Sequence, residues 1–146
     1  MNDSMTNQVF FSSYFTEKAT KCRKAVEKIL NDHHIPFNTI YGTKDIWARD
    51  YMPVQIAENE FVSYTYHPDY LEGKREYETA KYKCTALDNA VVEECDLILD
   101  GGNIVICGNK MILTEKVFKE NSDKTPFQVT RELERAFKKA SDMDSL

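Results

Sequence analysis

A charged helix set between two short apolar segments constrains this chain more than any other feature. Ala19, Cys22, Ala25, Val26, Ile29 and Leu30 recur at helical spacing while Lys18, Lys21, Arg23, Lys24, Glu27 and Lys28 take the other positions. The pattern predicts one amphipathic helix from 17 to about 33, N-capped by Thr16 and stopped by Pro36. Val9 to Phe15 reads as a strand before it, and Phe37 to Tyr41, closed by Gly42, as a strand after it. Strand, helix and strand make a β-α-β unit, which places the chain in the α/β (α+β) class.

The remaining elements follow from period and punctuation. Phe61 to Tyr66 alternates as a half-buried strand. His67 to Asp88 is polar and tyrosine-rich and reads as a surface loop with room for a helical turn. Val91 to Leu99 is a strand pair or one bent strand, followed by the Asp100-Gly101-Gly102-Asn103 turn. Ile104 to Cys107 and Met111 to Thr114 are strands around a Gly108-Asn109 turn. Thr125-Pro126 opens a helix whose stripe is Val129, Leu133, Ala136, Phe137 and Ala140. With no later strand to cover it, that stripe is expected to be exposed and to drive association. The whole chain, 1–146, is expected to be one domain, with 1–8 and 141–146 flexible.

Charge and cysteine usage narrow the partners. Nineteen Lys and Arg against twenty-four Asp and Glu give a net charge of −5, spread along the chain. That distribution argues against nucleic acid and anionic membrane surfaces and favours a small cationic ligand. The longest apolar run, Ile104 to Cys107, falls far short of the ~20 residues of a membrane span. A soluble, cytoplasmic protein is expected. Cys22, Cys84, Cys95 and Cys107 form no CxxC pair and no metal spacing with His33, His34 or His67. They are expected to be free, buried thiols, with no metal and no cofactor.

The densest chemistry lies in Trp47-Ala48-Arg49-Asp50-Tyr51-Met52-Pro53 and, some fifty residues on, in Asp100-Gly101-Gly102-Asn103. A carboxylate beside an aromatic face suits a guanidinium, which donates two parallel N–H bonds from its edge to the carboxylate and stacks by its plane. Taken singly, each motif also has a plain structural reading. Trp47 then packs in a core or lid, Arg49 and Asp50 form a surface ion pair worth under ~1 kcal/mol, and the glycines make a hairpin turn.

In this order and spacing, the W-x-R-D-x-x-P segment and the D-G-G-N segment resemble the agmatine deiminase and bacterial-type peptidylarginine deiminase family. That is a branch of the guanidino-group-modifying superfamily with the pentein fold. The resemblance runs from about residue 9 to 140 and implies the N-terminal part of a β/α propeller. About two ββαβ-type modules, with mixed sheets and two main helices, are expected. The family converts a guanidino group to a ureido group with release of ammonia, using a cysteine thiolate, a histidine and two carboxylates. Carried over residue by residue, the resemblance assigns Asp50 and Asp100 to the catalytic site and Trp47, Asp50 and Asn103 to substrate contact. Arg49, Gly101 and Gly102 support the structure around them. The implied ligand is a small guanidino cation such as agmatine or an arginine side chain.

The family's His-x-Asp segment and its C-terminal cysteine are not matched. His67-Pro68-Asp69 precedes the glycine turn instead of following it, and Cys107 lies one residue further from Asn103 than the family spacing, which turns a strand residue to the opposite face. Cys107 is therefore expected in the core. Three readings stay open: the N-terminal part of a deiminase whose other half lies elsewhere, a non-catalytic guanidinium-binding or assembly module that self-associates, and a cysteine hydrolase using Cys107, His67 and Asp69.

Overall fold

The hydroxyl of Ser12 ends the first strand and begins the first helix. In the computed structural model, which describes residues 7–80, 90–107 and 110–138, β1 is Val9–Ser12 and α1 is Ser13–Lys18. Ser12 Oγ accepts the N–H of Phe15 and so caps α1, displacing Thr16 from that expected role. Ala19, at φ −128° and ψ 44°, interrupts the helix, and α2 restarts over Thr20–Asp32. The single expected helix is thus two. Its end is set before Pro36, where His34 takes a positive φ of 55° and Ile35 N–H reaches back to the Leu30 carbonyl. β2, Phe37–Ile40, then pairs parallel with β1.

The face of α2 that turns inward differs from its apolar stripe. Cys22, Ala25 and Ile29 are exposed, and Arg23, assigned to the polar face, is only 4% exposed. Its guanidinium stacks 3.7 Å from the Phe11 ring centre. Nε donates to Glu27 at 2.6 Å, Nη1 to Thr16 at 3.1 Å and Nη2 to Thr39 at 3.1 Å. Neutralised, stacked and bonded at each of its three nitrogens, the cation is tolerated where an unpaired one is not. Arg23→Lys keeps the charge but loses the planar fork and much of the stacking. The expected result is a loss of about 1–2 kcal/mol, read from the shift in a urea unfolding midpoint.

The second half builds the main core. α3 is Ala48–Tyr51, β3 Val54–Ala57, β4 Glu60–Thr65 and β5 Val91–Ile98. β4 is central, antiparallel to β3 and parallel to β5. Val62, Ser63 and Tyr64 are consequently buried in succession, where alternation alone predicts one wet face. β5 is one strand, with a register shift opposite Ser63 to Thr65, not a pair. The expected loop after His67, as far as it is described, to residue 80, contains two short 3-10 turns, Asp69–Leu71 and Arg75–Tyr77.

β6, Val105–Cys107, and β7, Lys110–Ile112, form a separate antiparallel pair. Ile106 and Met111 face the core, so Val105, Cys107 and Ile112 point outward. Cys107 is exposed, contrary to its expected place in the core. Cys22 is exposed too, and Cys95 alone of the described cysteines is buried, its thiol pushed up to about 12 chiefly by burial.

α4 is Lys116–Glu120 and α5 Pro126–Ala136, the latter opened by a capping box between Thr125 and Gln128. Val129, Leu133, Ala136 and Phe137 are all buried against β5 and its neighbours. The stripe expected to be bare is covered by the chain's own sheet. The link is also polar: Glu132 accepts the Asp96 N–H at 2.7 Å, and Arg135 binds Glu132 and Glu93. The fold is α+β, with small sheets and α2 and α5 as its main helices. Cys84, the Gly108-Asn109 turn, Ala140 and most of the terminal segments expected to be flexible lie outside the described residues. Among the described residues, no helix is long and apolar enough to cross a membrane.

Candidate functional site

Hydroxyl groups anchor the segment that leads into α3. Ser12 Oγ lies 2.9 Å from Thr43 Oγ1 and donates to the Asp45 carbonyl at 2.6 Å, and the Tyr51 hydroxyl donates to the same carbonyl at 2.9 Å. α3 follows as one turn carrying Asp50. From β4, the buried Tyr64 hydroxyl lies 2.9 Å from the Asp50 carbonyl oxygen and 2.8 Å from that of Met52, donating toward both. The helical turn is thereby fixed to the central strand of the main sheet.

Against α3 lies the 3-10 turn Gly101–Asn103, capped by Asp100, whose Oδ1 accepts the Gly102 N–H at 2.9 Å. It joins β5 to β6, which belong to different sheets, so it is not a hairpin turn. Contact explains both glycines. A Cβ on Gly101 would stand 2.2 Å from the Arg49 carbonyl oxygen and 2.3 Å from the Tyr64 hydroxyl. One on Gly102 would stand 2.5 Å from Asp50 Oδ1. Only an absent side chain permits these approaches.

Asp50 and Asp100, fifty residues apart in sequence, therefore meet at the glycine turn, where the Cβ position of Gly102 lies 2.5 Å from Asp50 Oδ1 and 3.2 Å from Asp100 Oδ1. Burial first, then the Asp100 charge and hydrogen bond and the Asp45 charge, push Asp50 up to about 6, with Lys116 pulling the other way. Above about pH 6 Asp50 gives its proton to solvent and the pair carries the negative charge that attracts a cation.

Lys116, at the start of α4, brings the fold's own cation to this cluster. Its Nζ lies 3.2 Å from Glu120, 3.6 Å from Asp69 and 3.8 Å from Asp100 Oδ2, and 4.7 Å from the centre of the Tyr70 ring. The Tyr70 hydroxyl in turn lies 2.8 Å from that of buried Tyr66. Both phenols are raised above their ordinary values, in each case mainly by burial, with the charges of Asp50 and Asp100 adding to it.

The other sequence-derived residues have separate partners. Trp47 is 62% exposed at the N-terminus of α3. Arg49 donates from Nη2 to the Ile104 carbonyl at 3.0 Å, tying α3 to the segment after the turn. Asn103 accepts the Thr114 N–H at 3.4 Å. His67 pairs with Glu78 through Nδ1 at 3.0 Å, while Asp69 faces Lys116. Cys107 is exposed on the outward face of the β6–β7 pair. Lys116, Glu120, Tyr66 and Tyr70 escaped the sequence reading. The available signal was the four-residue spacing of Lys116 and Glu120, which marks an ion pair on a helix but not its neighbour across the fold.

No group of three or more His, Cys, Asp or Glu among the described residues is arranged to hold a metal ion. No curated protein matches the chain. A family model described as Porphyromonas-type peptidyl-arginine deiminase matches residues 7–145, spanning both motif segments and everything between them. With Asp50 and Asp100 brought together by those two segments, the chain belongs to the Porphyromonas-type peptidyl-arginine deiminase family.

Proposed function

We propose that this chain supplies the guanidinium-holding part of a guanidino-group hydrolase, with Asp50 and Asp100 as the grip. The observation that carries the reading is the meeting of two carboxyls from separate motifs, one of them raised to about 6. A guanidinium presents five N–H donors in a plane, enough to engage both carboxylates along its edges. On the ionised pair the ligand's own N–H groups take the place that a proton holds on Asp50 below about pH 6. The positive charge then offsets the burial, and after it the repulsion from Asp100, that had raised Asp50. Trp47, exposed next to α3, offers a face for stacking, and Asn103 a polar side chain beside the turn.

Turnover needs more than a grip. Hydrolysis of a guanidino carbon requires a nucleophile and a proton carrier, and removing a covalent nucleophile removes the pathway itself. His67 is engaged with Glu78, and Cys107 lies outward on the β6–β7 pair. We therefore assign binding to Asp50 and Asp100 and place the thiolate and proton carrier on a further part of the protein or a partner segment. The chain then corresponds to the N-terminal modules of the propeller. The reading as a self-sufficient cysteine hydrolase predicts ureido product from agmatine that vanishes in Cys107→Ser. The expected result is no product from this chain.

The pH dependence has a definite sign. Asp50 must be ionised to grip a cation, so affinity for agmatine rises as pH passes through about 6. Between pH 8 and pH 5 it should fall about tenfold, as the ionised fraction does. Fold stability moves the opposite way. A carboxyl raised in the folded state stabilises the protein fully below its unfolded pKa, and that contribution is lost as pH rises through about 6. Discounted for partial solvent screening, the loss is about 1–2 kcal/mol between pH 4 and pH 7. Affinity and stability measured over the same pH range should cross. Agmatine affinity that is flat from pH 5 to 8 would remove Asp50 from the site.

A further inference from the structure

Among the described residues three cations stack on aromatic rings, and one of them also reaches the acidic pair. Arg23 is buried at Phe11, and Lys18 lies over Tyr14 at 5.6 Å. Lys116 differs: carboxylates from three separate elements surround it, and one of them is Asp100. A lysine held by Glu120 alone would be an ordinary helix pair worth a few tenths of a kcal/mol. Here the ammonium also turns toward the 3-10 turn at Asp69 and the cap residue of the glycine turn, over the face of Tyr70.

These are the partners a guanidinium ligand would seek, a carboxylate edge and an aromatic plane. We propose that Lys116 is the resident counter-cation of the Asp50–Asp100 pair, occupying the place beside Asp100 that the ligand's positive charge takes on binding. The inference rests on the reading of that pair as a guanidinium grip and adds a regulating residue to it.

Charge and geometry give Lys116 two alternatives. At 3.8 Å from Asp100 it is near enough to stabilise the negative pair, yet too far for a tight hydrogen bond, so it can be displaced. Glu120 at 3.2 Å and Asp69 at 3.6 Å retain it when Asp100 is taken. Glu120 is itself fixed, since its Oε1 accepts the Asp69 N–H at 3.1 Å. Burial opposes the charge on Lys116, but Glu120, Asp100 and Asp69 more than offset it and hold its pKa above the ordinary lysine value. The titrating groups that face the pair are Asp45, Tyr66, Tyr70 and Lys116, with Asp69 and Glu120 behind the lysine. Lys116 is the cation among them.

A resident cation has a signature that a merely structural lysine lacks. It lowers the pH at which the carboxyl pair gives up its proton, and it competes with any cation that arrives. Removing it therefore moves the titration up and, once the pair is ionised, tightens ligand binding. Lys116→Met keeps the length and apolar stem, and Lys116→Arg keeps the charge.

The first measurement needs no ligand: the carboxyl titration of Asp50, followed by carbon NMR in the parent, Lys116→Met and Lys116→Arg chains. The expected result is an upward shift of about one pH unit in Lys116→Met and little change in Lys116→Arg. An unshifted titration in folded Lys116→Met overturns the proposal. The second is calorimetric titration with agmatine at pH 8, where Lys116→Met is expected to bind about three- to tenfold more tightly. Weaker binding there, from a folded variant, also overturns it. Should the parent itself show no agmatine binding, the guanidinium grip fails, and the carboxyl titration still decides the role of Lys116.

Discussion

Asp50→Asn is expected to weaken agmatine binding and stabilise the fold in the same molecule. The loss of one charged partner of a guanidinium should reduce affinity by about 1.5–3 kcal/mol, or roughly ten- to a hundredfold. Stability should move the other way because Asp50 is held beside Asp100 and Asp45 in a partly buried place, which pushes its carboxyl up to about 6. At pH 7.5 the ionised side chain is a strain on the fold. An amide of the same shape removes the charge and offers an N–H to Asp100. The expected gain is about 1–2 kcal/mol, or a rise of some 3–6 °C in melting temperature for a chain of this size. At pH 4 the gain should disappear, because Asp50 is already protonated in the parent. A variant that melts lower at pH 7.5 than the parent would show that Asp50 serves structure and not binding. Stabilisation on neutralising a binding-site charge is the usual sign of a group placed for function against the interest of the fold.

Gly101→Ala should give the largest loss of stability of any small substitution near the site. The new methyl group would meet the Arg49 carbonyl oxygen at 2.2 Å and the Tyr64 hydroxyl at 2.3 Å. The first is backbone and moves only if α3 moves. The second already donates to the carbonyls of Asp50 and Met52 from a side chain that is 1% exposed. Overpacking plus disruption of those bonds should amount to about 3–5 kcal/mol, and urea unfolding would read it as a large drop in midpoint. Gly102→Ala is the informative contrast. Its methyl group meets Asp50 Oδ1 at 2.5 Å and Asp100 Oδ1 at 3.2 Å, the ends of side chains that can rotate away at the expense of their meeting. The fold should largely survive while agmatine binding falls. Equal stability losses for the two variants would refute the separation of a structural glycine from a site-forming one.

The residues most legible from sequence were those with local causes. Thr125-Pro126, the α5 stripe and the β1–β2 unit follow from capping chemistry and period, and each is present. The two site motifs were legible as motifs, and the turn glycines as places of close approach. What they approach was not, because the contact joins residues fifty apart. The same limit hid Lys116: α4 is a five-residue helix with no period long enough to announce it. Arg23 was misassigned for a different reason. Helical periodicity sorts residues by polarity, and only the tertiary fold brings Phe11, Thr16 and Thr39 to a single arginine. Cys107 failed through register, since Ile106 and Met111 take the inward face and leave it outside. The α5 stripe was correctly drawn, but its partner, β5, lies earlier in the chain and not in a missing strand.

Calorimetric titration of the 146-residue chain with agmatine at pH 8, set against the same titration with 1,4-diaminobutane, decides whether a guanidinium site is present. Both ligands are dications on a four-carbon chain, so non-specific attraction to a protein of net charge −5 affects them alike. The expected result is saturable one-to-one heat with agmatine, much weaker binding of the diamine, and loss of the difference in Asp50→Asn. Indistinguishable binding of the two ligands, or none of agmatine, would contradict a guanidinium grip at Asp50 and Asp100.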